Sequence, residues 1–385
     1  MSSYIFLVLF ILITNSNLCF TLKLKLIHID ILAPSYDSEA INLKTRHKRW
    51  TELSVGRFYQ IYQDLVGGGL PLYSGLILDG KAGALLVSIG LGNPPIPQFV
   101  VMDTGSNIMW VTCMGSPYVK GNYNYKKSED YHPVYCSHKE CRNVPFSNYY
   151  GRQKFSDSCT LGVQYKSSNK VIQGEVVWDS VTFWEGLDGE DWSMATQFRS
   201  RFSYCVGDLH NNASSEFNHL LLDEAHLLGS WTPIRDFSTK IYINFTYIIV
   251  GEEVLDIASD VFVGGPTNLN GTILDCGSFA TFLANLAFSA DNPCFYNLHP
   301  NEVPTVHFVF EMGAQLVLGM DNLFAWVEPD KYCFSIKPSS STKIPSGENL
   351  TVIGLDLQQF HNIGCDYKAR RIHFDLVDCE NLPII

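Results

Sequence analysis

The stretch Phe99–Cys113, FVVMDTGSNIMWVTC, decides the reading of this chain. An apolar run, Phe99 to Met102, feeds Asp103, and Thr104, Gly105 and Ser106 follow before a second apolar run from Ile108 to Val111. A carboxylate set between two strand-like runs must be solvated in a turn or held by hydrogen bonds, because an unpaired buried charge is costly. Gly105 permits the tight turn, and the neighbouring hydroxyls and backbone N–H groups can hold the carboxylate oxygens. On its own such a turn is a common sequence. A second copy gives it meaning: Asn270–Leu283, NGTILDCGSFATFL, has the same layout around Asp275, 172 positions later. Two acid-bearing turns at that spacing imply two similar lobes, each contributing one carboxylate.

Several further motifs accompany the pair. Ile89–Pro95 (IGLGNPP) precedes the first acid and Trp110 follows it. Phe202–Cys205 (FSYC) lies mid-chain, and Val352–Gly354 (VIG) follows the second acid. With these motifs the chain, from about Leu85 to Cys379, resembles the pepsin-type aspartic proteases, in particular their plant, nepenthesin-like branch. The resemblance implies an all-β, two-lobed fold of double-ψ-type lobes. It also implies Asp103 and Asp275 as a catalytic pair, Thr104, Ser106, Cys276 and Ser278 as supporting residues, and Tyr165 as the substrate-contacting tyrosine of a flap hairpin. No metal and no cofactor are required by it. Two carboxylates a few ångströms apart repel, so they share a proton, and the family's own pair is the usual illustration. One acid can then act as base on a bound water while the other hydrogen-bonds the scissile carbonyl of a polypeptide.

Composition agrees with that class. With 46% hydrophobic and 17% charged residues, 385 residues can bury one large or two medium cores, and 13% aromatics argue against disorder. Residues 1–20 carry no charge and read as a secretory signal peptide, too short to span a bilayer securely. Ten cysteines remain after Cys19, which suits disulfides in an oxidising compartment. We expect Cys276 and Cys365 to stay reduced and the other eight to pair, Cys294 with Cys333 among them. His132, Cys136, His138 and Cys141 have a spacing that could take zinc, but disulfides are the better reading there. Of four glycosylation sequons, Asn212 and Asn244 are candidates, whereas Asn270 and Asn349 abut apolar runs. The mature product is expected to be secreted to the extracellular space or apoplast, or delivered to the vacuole, as a monomer.

Charge divides the chain. Residues 1–75 hold 7 basic and 5 acidic side chains, and residues 76–385 hold 20 basic and 34 acidic, a net of −14. That excess argues against nucleic acid or an anionic membrane as partner. Residues 21–75 read as a pro-region, and its basic cluster Lys44–Arg49 would lie on the acidic enzyme until the carboxylates protonate. The lobes follow as 76–205 and 206–385. Rival chemistries lack their motifs: no G-x-S-x-G, no H-E-x-x-H and no full phosphate-binding glycine loop occurs.

Two departures from the family pattern matter. Cys276 replaces a hydroxyl that braces the two turns, and a thiol is a poorer donor and acceptor. Ser278, expected to hold the Asp275 carboxylate, is kept. The first lobe has no apolar-apolar-Gly strand between the flap and Phe202 to match Val352–Gly354, so the N-terminal lobe is expected to be incomplete. From this follows an alternative function: a weak or inactive homologue, or a truncated isoform, that binds peptides, proteins or glycans.

Overall fold

A computed structural model describes residues 22–28, 43–65, 85–104, 111, 113–114, 123–139, 141, 157–165, 170–184, 192–194, 201–209, 217–222, 225–236, 240–257, 262, 271–284, 293–342 and 350–382. The signal segment 1–20, the glycines 67–69, Gly105, Ser106, Trp110, Asn212, Asn270 and Asn349 lie outside them.

The first described element is β1 (Leu22–His28), and its sequence LKLKLIH alternates apolar and basic residues. Alternation places Leu24 and Leu26 on one face, where they are fully buried. Helix α1 (Leu43–Leu65) follows, with Arg46, Trp50, Ser54, Arg57 and Phe58 buried at helical spacing while Lys48 and Glu52 face out. The first lobe contributes β2 (Leu85–Leu91), β3 (Ile96–Val101), the hairpin β4 (Thr160–Tyr165) and β5 (Lys170–Glu175), β6 (Val181–Trp184) and β7 (Trp192–Met194). Strands β8 (Arg201–Val206) and β9 (His219–Leu222) lead into the second lobe. There follow β10 (Ser230–Asp236), β11 (Ile241–Ile243), β12 (Gly271–Leu274), β13 (Phe282–Leu283), β14 (Cys294–Tyr296), β15 (Phe324–Glu328), β16 (Lys331–Phe334), β17 (Leu350–Ile353), β18 (His361–Asp366) and β19 (Arg371–Leu376).

One sheet of 15 strands runs through both lobes: from the short strand Lys337–Pro338 the order is β13-β17-β12-β11-β10-β19-β18-β8-β9-β1-β2-β6-β7, with β3 paired to β2 off this path. Strand β1 sits inside it, antiparallel to β9 through Leu22–Lys25 and to β2 through Leu26–His28. The region expected to be a removable pro-segment therefore supplies a central strand. It also supplies core, because Leu24, Leu26, Trp50 and Phe58 join the main apolar cluster with Ile273, Phe279 and Phe282.

The acid turns are positioned differently in the two lobes. Strand β12 enters the Asp275 turn between β11, antiparallel, and β17, parallel, with Leu274 opposite Ile353. Gly354 ends β17 at the turn, and a Cβ there would lie 2.4 Å from the Ala280 carbonyl oxygen, so only glycine lets the strands close. Strand β3, which enters the Asp103 turn, pairs among the described residues with β2 alone.

Two local expectations are corrected. By local pattern the apolar run that begins at Phe279 reads as a short helix, but Phe282–Leu283 is strand β13, drawn into the sheet by Val352 and by Lys337–Pro338. Pairing partners remote in sequence outweigh local pattern here. Three disulfides form, Cys141–Cys159, Cys205–Cys379 and Cys294–Cys333, and Cys276 and Cys365 are thiols as expected. The fourth bridge, which would have to join Cys113 and Cys136, does not form: Cys113 is a half-buried thiol and Cys136 Sγ points to the Ser158 carbonyl oxygen at 3.8 Å. Cys141 is taken up by its disulfide, which removes it from the histidine–cysteine set considered for zinc.

Candidate active site

Asp103 and Asp275, far apart in sequence, meet where the two lobes join. Their turns are tied across the interface by Thr104, whose Oγ1 donates to the Leu274 carbonyl (3.1 Å) and accepts from the Cys276 N–H (3.0 Å). From the other side Cys276 Sγ donates to the Met102 carbonyl at 3.6 Å, the long contact expected of a thiol in a hydroxyl's place. Between the turns Gly277 is indispensable: a Cβ there would stand 2.5 Å from Asp103 Oδ1 and 3.1 Å from Asp275 Oδ1.

Sequence reading missed the group that fills the space between the acids. Arg57, from α1, donates from Nη2 to Asp103 Oδ1 (2.8 Å) and from Nε to Asp275 Oδ2 (3.0 Å). All three side chains are buried, with Arg57 at 6%, Asp103 at 3% and Asp275 at 0% exposure. A planar guanidinium can engage two carboxylates at once in this way, and it does not lose its proton. The signal was present as Arg46, Trp50, Ser54 and Arg57 at helical spacing, one buried face in a stretch dominated by charge. Two members of the basic cluster 44–49 have partners away from the acids. Arg46 stacks over Trp50 at 4.3 Å and donates to the Leu209 carbonyl, while Lys48 faces Glu52 in solvent.

Ser54 adds a second attachment of α1. Its Oγ accepts from the N–H groups of Phe279 (3.1 Å) and Ala280 (2.9 Å) and donates to the Trp50 carbonyl. Trp50 packs on Phe279 and Phe58 on Phe282, with ring centroids 4.2 and 4.9 Å apart.

Electrostatics follow from this packing. Burial pushes the Asp275 carboxyl up, but the charge and hydrogen bond of Arg57, with bonds from Asp103 and the Gly277 N–H, outweigh it and hold the group below its usual value. Cys276 is pushed up to about 12 by burial and by the charges of Asp103 and Asp275, which makes it a poor nucleophile. Ser278 does not hold the Asp275 carboxylate: its Oγ donates to the Ala280 carbonyl, and the carboxylate is held by Arg57 and by the Gly277 N–H at 3.0 Å. Tyr165 ends β4 opposite Lys170, and its side chain lies outside the described residues, as does Ser106. Asn244 Nδ2 donates to Glu311 at 2.8 Å, a bond that a glycan there would break.

Comparison with known proteins bears on the family. Residues 85–191 match the model described as xylanase inhibitor N-terminal. The chain is similar to Aspartyl protease UND of Arabidopsis thaliana, 23% identical over 77% of this chain and 85% of that one. A probable aspartic protease of the same plant is 25% identical over 93% of each chain. These similarities are to plant aspartic proteases of the pepsin type. The solved structure of edgp covers 80% of this chain and 94% of its own with a TM-score of 0.58 at 14% identity. Soybean basic 7S globulin covers 79% and 96% with a TM-score of 0.55 at 13% identity. These likenesses agree with the all-β, two-lobed fold of this chain and concern its fold alone.

Proposed function

We propose that the chain is the latent precursor of a secreted aspartic endopeptidase, with residues 1–20 as its signal peptide and α1 as its inhibitory segment. The observation that carries this reading is the Arg57 guanidinium set between Asp103 and Asp275. Two carboxylates that would otherwise repel are brought together around one buried cation, and the position of the attacked carbonyl is filled. Protonating an acid removes its attraction to Arg57. Because Asp275 is held below its usual value, the latch is fully present above the usual value and is lost as pH falls through the lowered one. With α1 gone, one carboxylate would activate a water and the other, protonated, would donate to the scissile carbonyl of a polypeptide, with no metal, cofactor or covalent intermediate. The name of the matched family model, together with the Cys276 contact and the pairing of β3 with β2 alone among the described residues, supports a second reading as a binding protein without turnover.

Substitution of the acids tests the proposal. Asp103→Asn and Asp275→Asn each remove charge and keep shape, so each is expected to abolish pepstatin-sensitive cleavage of an unfolded protein at acid pH without unfolding the chain. Near-wild-type turnover by either variant would contradict the assignment.

A further inference from the structure

A small sheet stands apart from the main one, with β14, β16 and β15 in that order. Its register places Phe295 opposite Tyr332 and Tyr332 opposite Trp326, so three aromatics form a row across one face. Phe295 and Trp326, at the ends of the row, are 44% and 42% exposed. On the other face Ala325 and Val327 are buried with Cys333. Strand β15 is an edge, with no strand along its outer side among the described residues. Helix α1, which carries Arg57 into the acid pair, also packs against β15. One helix thus touches both the acids and this edge.

We propose that β15 and the row Phe295–Tyr332–Trp326 form an exosite that takes an extended, apolar stretch of polypeptide once α1 has left, adding it as a strand to the free edge. This rests on the reading of α1 as an inhibitory segment over a peptide cleft. The occupant follows from continuity, because a polypeptide that replaces α1 at the acids is led along the strand α1 lies against. It also follows from chemistry. An unpaired strand edge offers backbone donors and acceptors to another extended chain, and alternate side chains then meet the apolar and aromatic groups of the sheet. The exposed Trp326 on that edge, with Tyr332 and Phe295 continuing the row across the sheet, supplies contact area with little loss of side-chain freedom. The exosite would favour long substrates with Val- and Phe-rich flanks over short ones.

The test measures binding rather than turnover. The full chain carries Arg57→Gln to loosen α1 and Asp103→Asn to prevent cleavage, and the probe is a labelled, uncharged ten-residue peptide alternating Val and Phe with Thr. Fluorescence anisotropy is expected to show binding that Trp326→Ala weakens about tenfold and Trp326→Phe largely restores. The same peptide N-methylated at alternate residues is expected to bind about tenfold more weakly, since it cannot complete the strand ladder. Equal binding by the Trp326→Ala chain, equal binding of the N-methylated peptide, or no binding would each overturn the exosite. Absence of cleavage by the wild-type chain would instead refute the peptidase reading and leave this measurement standing.

Discussion

Gly277 shows how closely the two acid turns are fitted. A methyl group at this position would lie inside the contact distance of Asp103 Oδ1 and crowd Asp275 Oδ1. Gly277→Ala is therefore expected to push the carboxylates apart and to lower kcat about a hundredfold, since misplacement by a fraction of an ångström has costs of that order. Steady-state cleavage of a peptide substrate at acid pH checks it, and an unchanged kcat would mean that the spacing of the acids is not what the geometry implies. Asp103, Thr104, Asp275 and Cys276 were legible in the sequence because each sits at a fixed place in a repeated turn. Arg57 was not, because a single arginine in a charged stretch has no local signature, and its partners lie 46 and 218 residues away. Ser278 was misplaced for the related reason that a hydroxyl in a turn can serve several nearby acceptors.

The two acid-bearing strands are supported unequally. Strand β12 lies between β11 and β17, and Gly354 closes over Ala280, while β3 is paired on one side among the described residues. A strand paired on one side opens at lower free energy than one enclosed on both. Amide hydrogen exchange is expected to show β3 exchanging at least about tenfold faster than β12, a gap of roughly 1.4 kcal/mol in opening free energy. Equal protection of the two would show that β3 has support beyond β2. Most strands of the second lobe could be placed from alternating or apolar runs between turn residues. Helix α1 was not foreseen, since its buried face mixes Arg, Trp, Ser and Phe rather than forming an apolar stripe. Nor was β13, whose short apolar run suits either state until Val352 pairs with it.

Across the molecule, two fully buried titrating groups act in opposite directions. Asp356 is pushed up to about 7 by burial, against hydrogen bonds from Thr281 and the Leu357 N–H and the charge of Lys337. Its folded value exceeds its unfolded one, so its contribution to stability falls as pH rises from about 4 to about 7. His361 is pulled down to about 4 by burial, and its neutral ring bridges the Val317 N–H and the Gln359 carbonyl. The unfolded chain binds that proton first, so this contribution falls as pH drops from about 6.5 to about 4. The two nearly offset each other. Urea unfolding at successive pH values is expected to give a wild-type profile that varies little between pH 4 and 7 on their account. Asp356→Asn should expose a limb that rises with pH by a few kcal/mol. A variant profile parallel to wild type would refute the buried-acid argument. The two-lobed plan itself was legible because the repeat of the acid turn reports it directly. What could not be read was that β1 and α1 belong to the sheet and core of that plan, since the strands that enclose β1 are spread along the chain.

The central claim is that Arg57 holds Asp103 and Asp275 silent until acid releases it. The most direct measurement is the initial rate of cleavage of an unfolded protein between pH 3 and 7, for the wild-type chain and for Arg57→Gln. Removing one partner from a buried ion pair typically costs about 3–5 kcal/mol, and here it also leaves two carboxylates to repel each other across α1. The rates of the two chains are expected to converge as pH falls, with Arg57→Gln remaining active at higher pH, where the wild type is silent, and with cleavage by both abolished by Asp103→Asn. Superimposable pH profiles for the two chains, or no cleavage by either, would contradict the account.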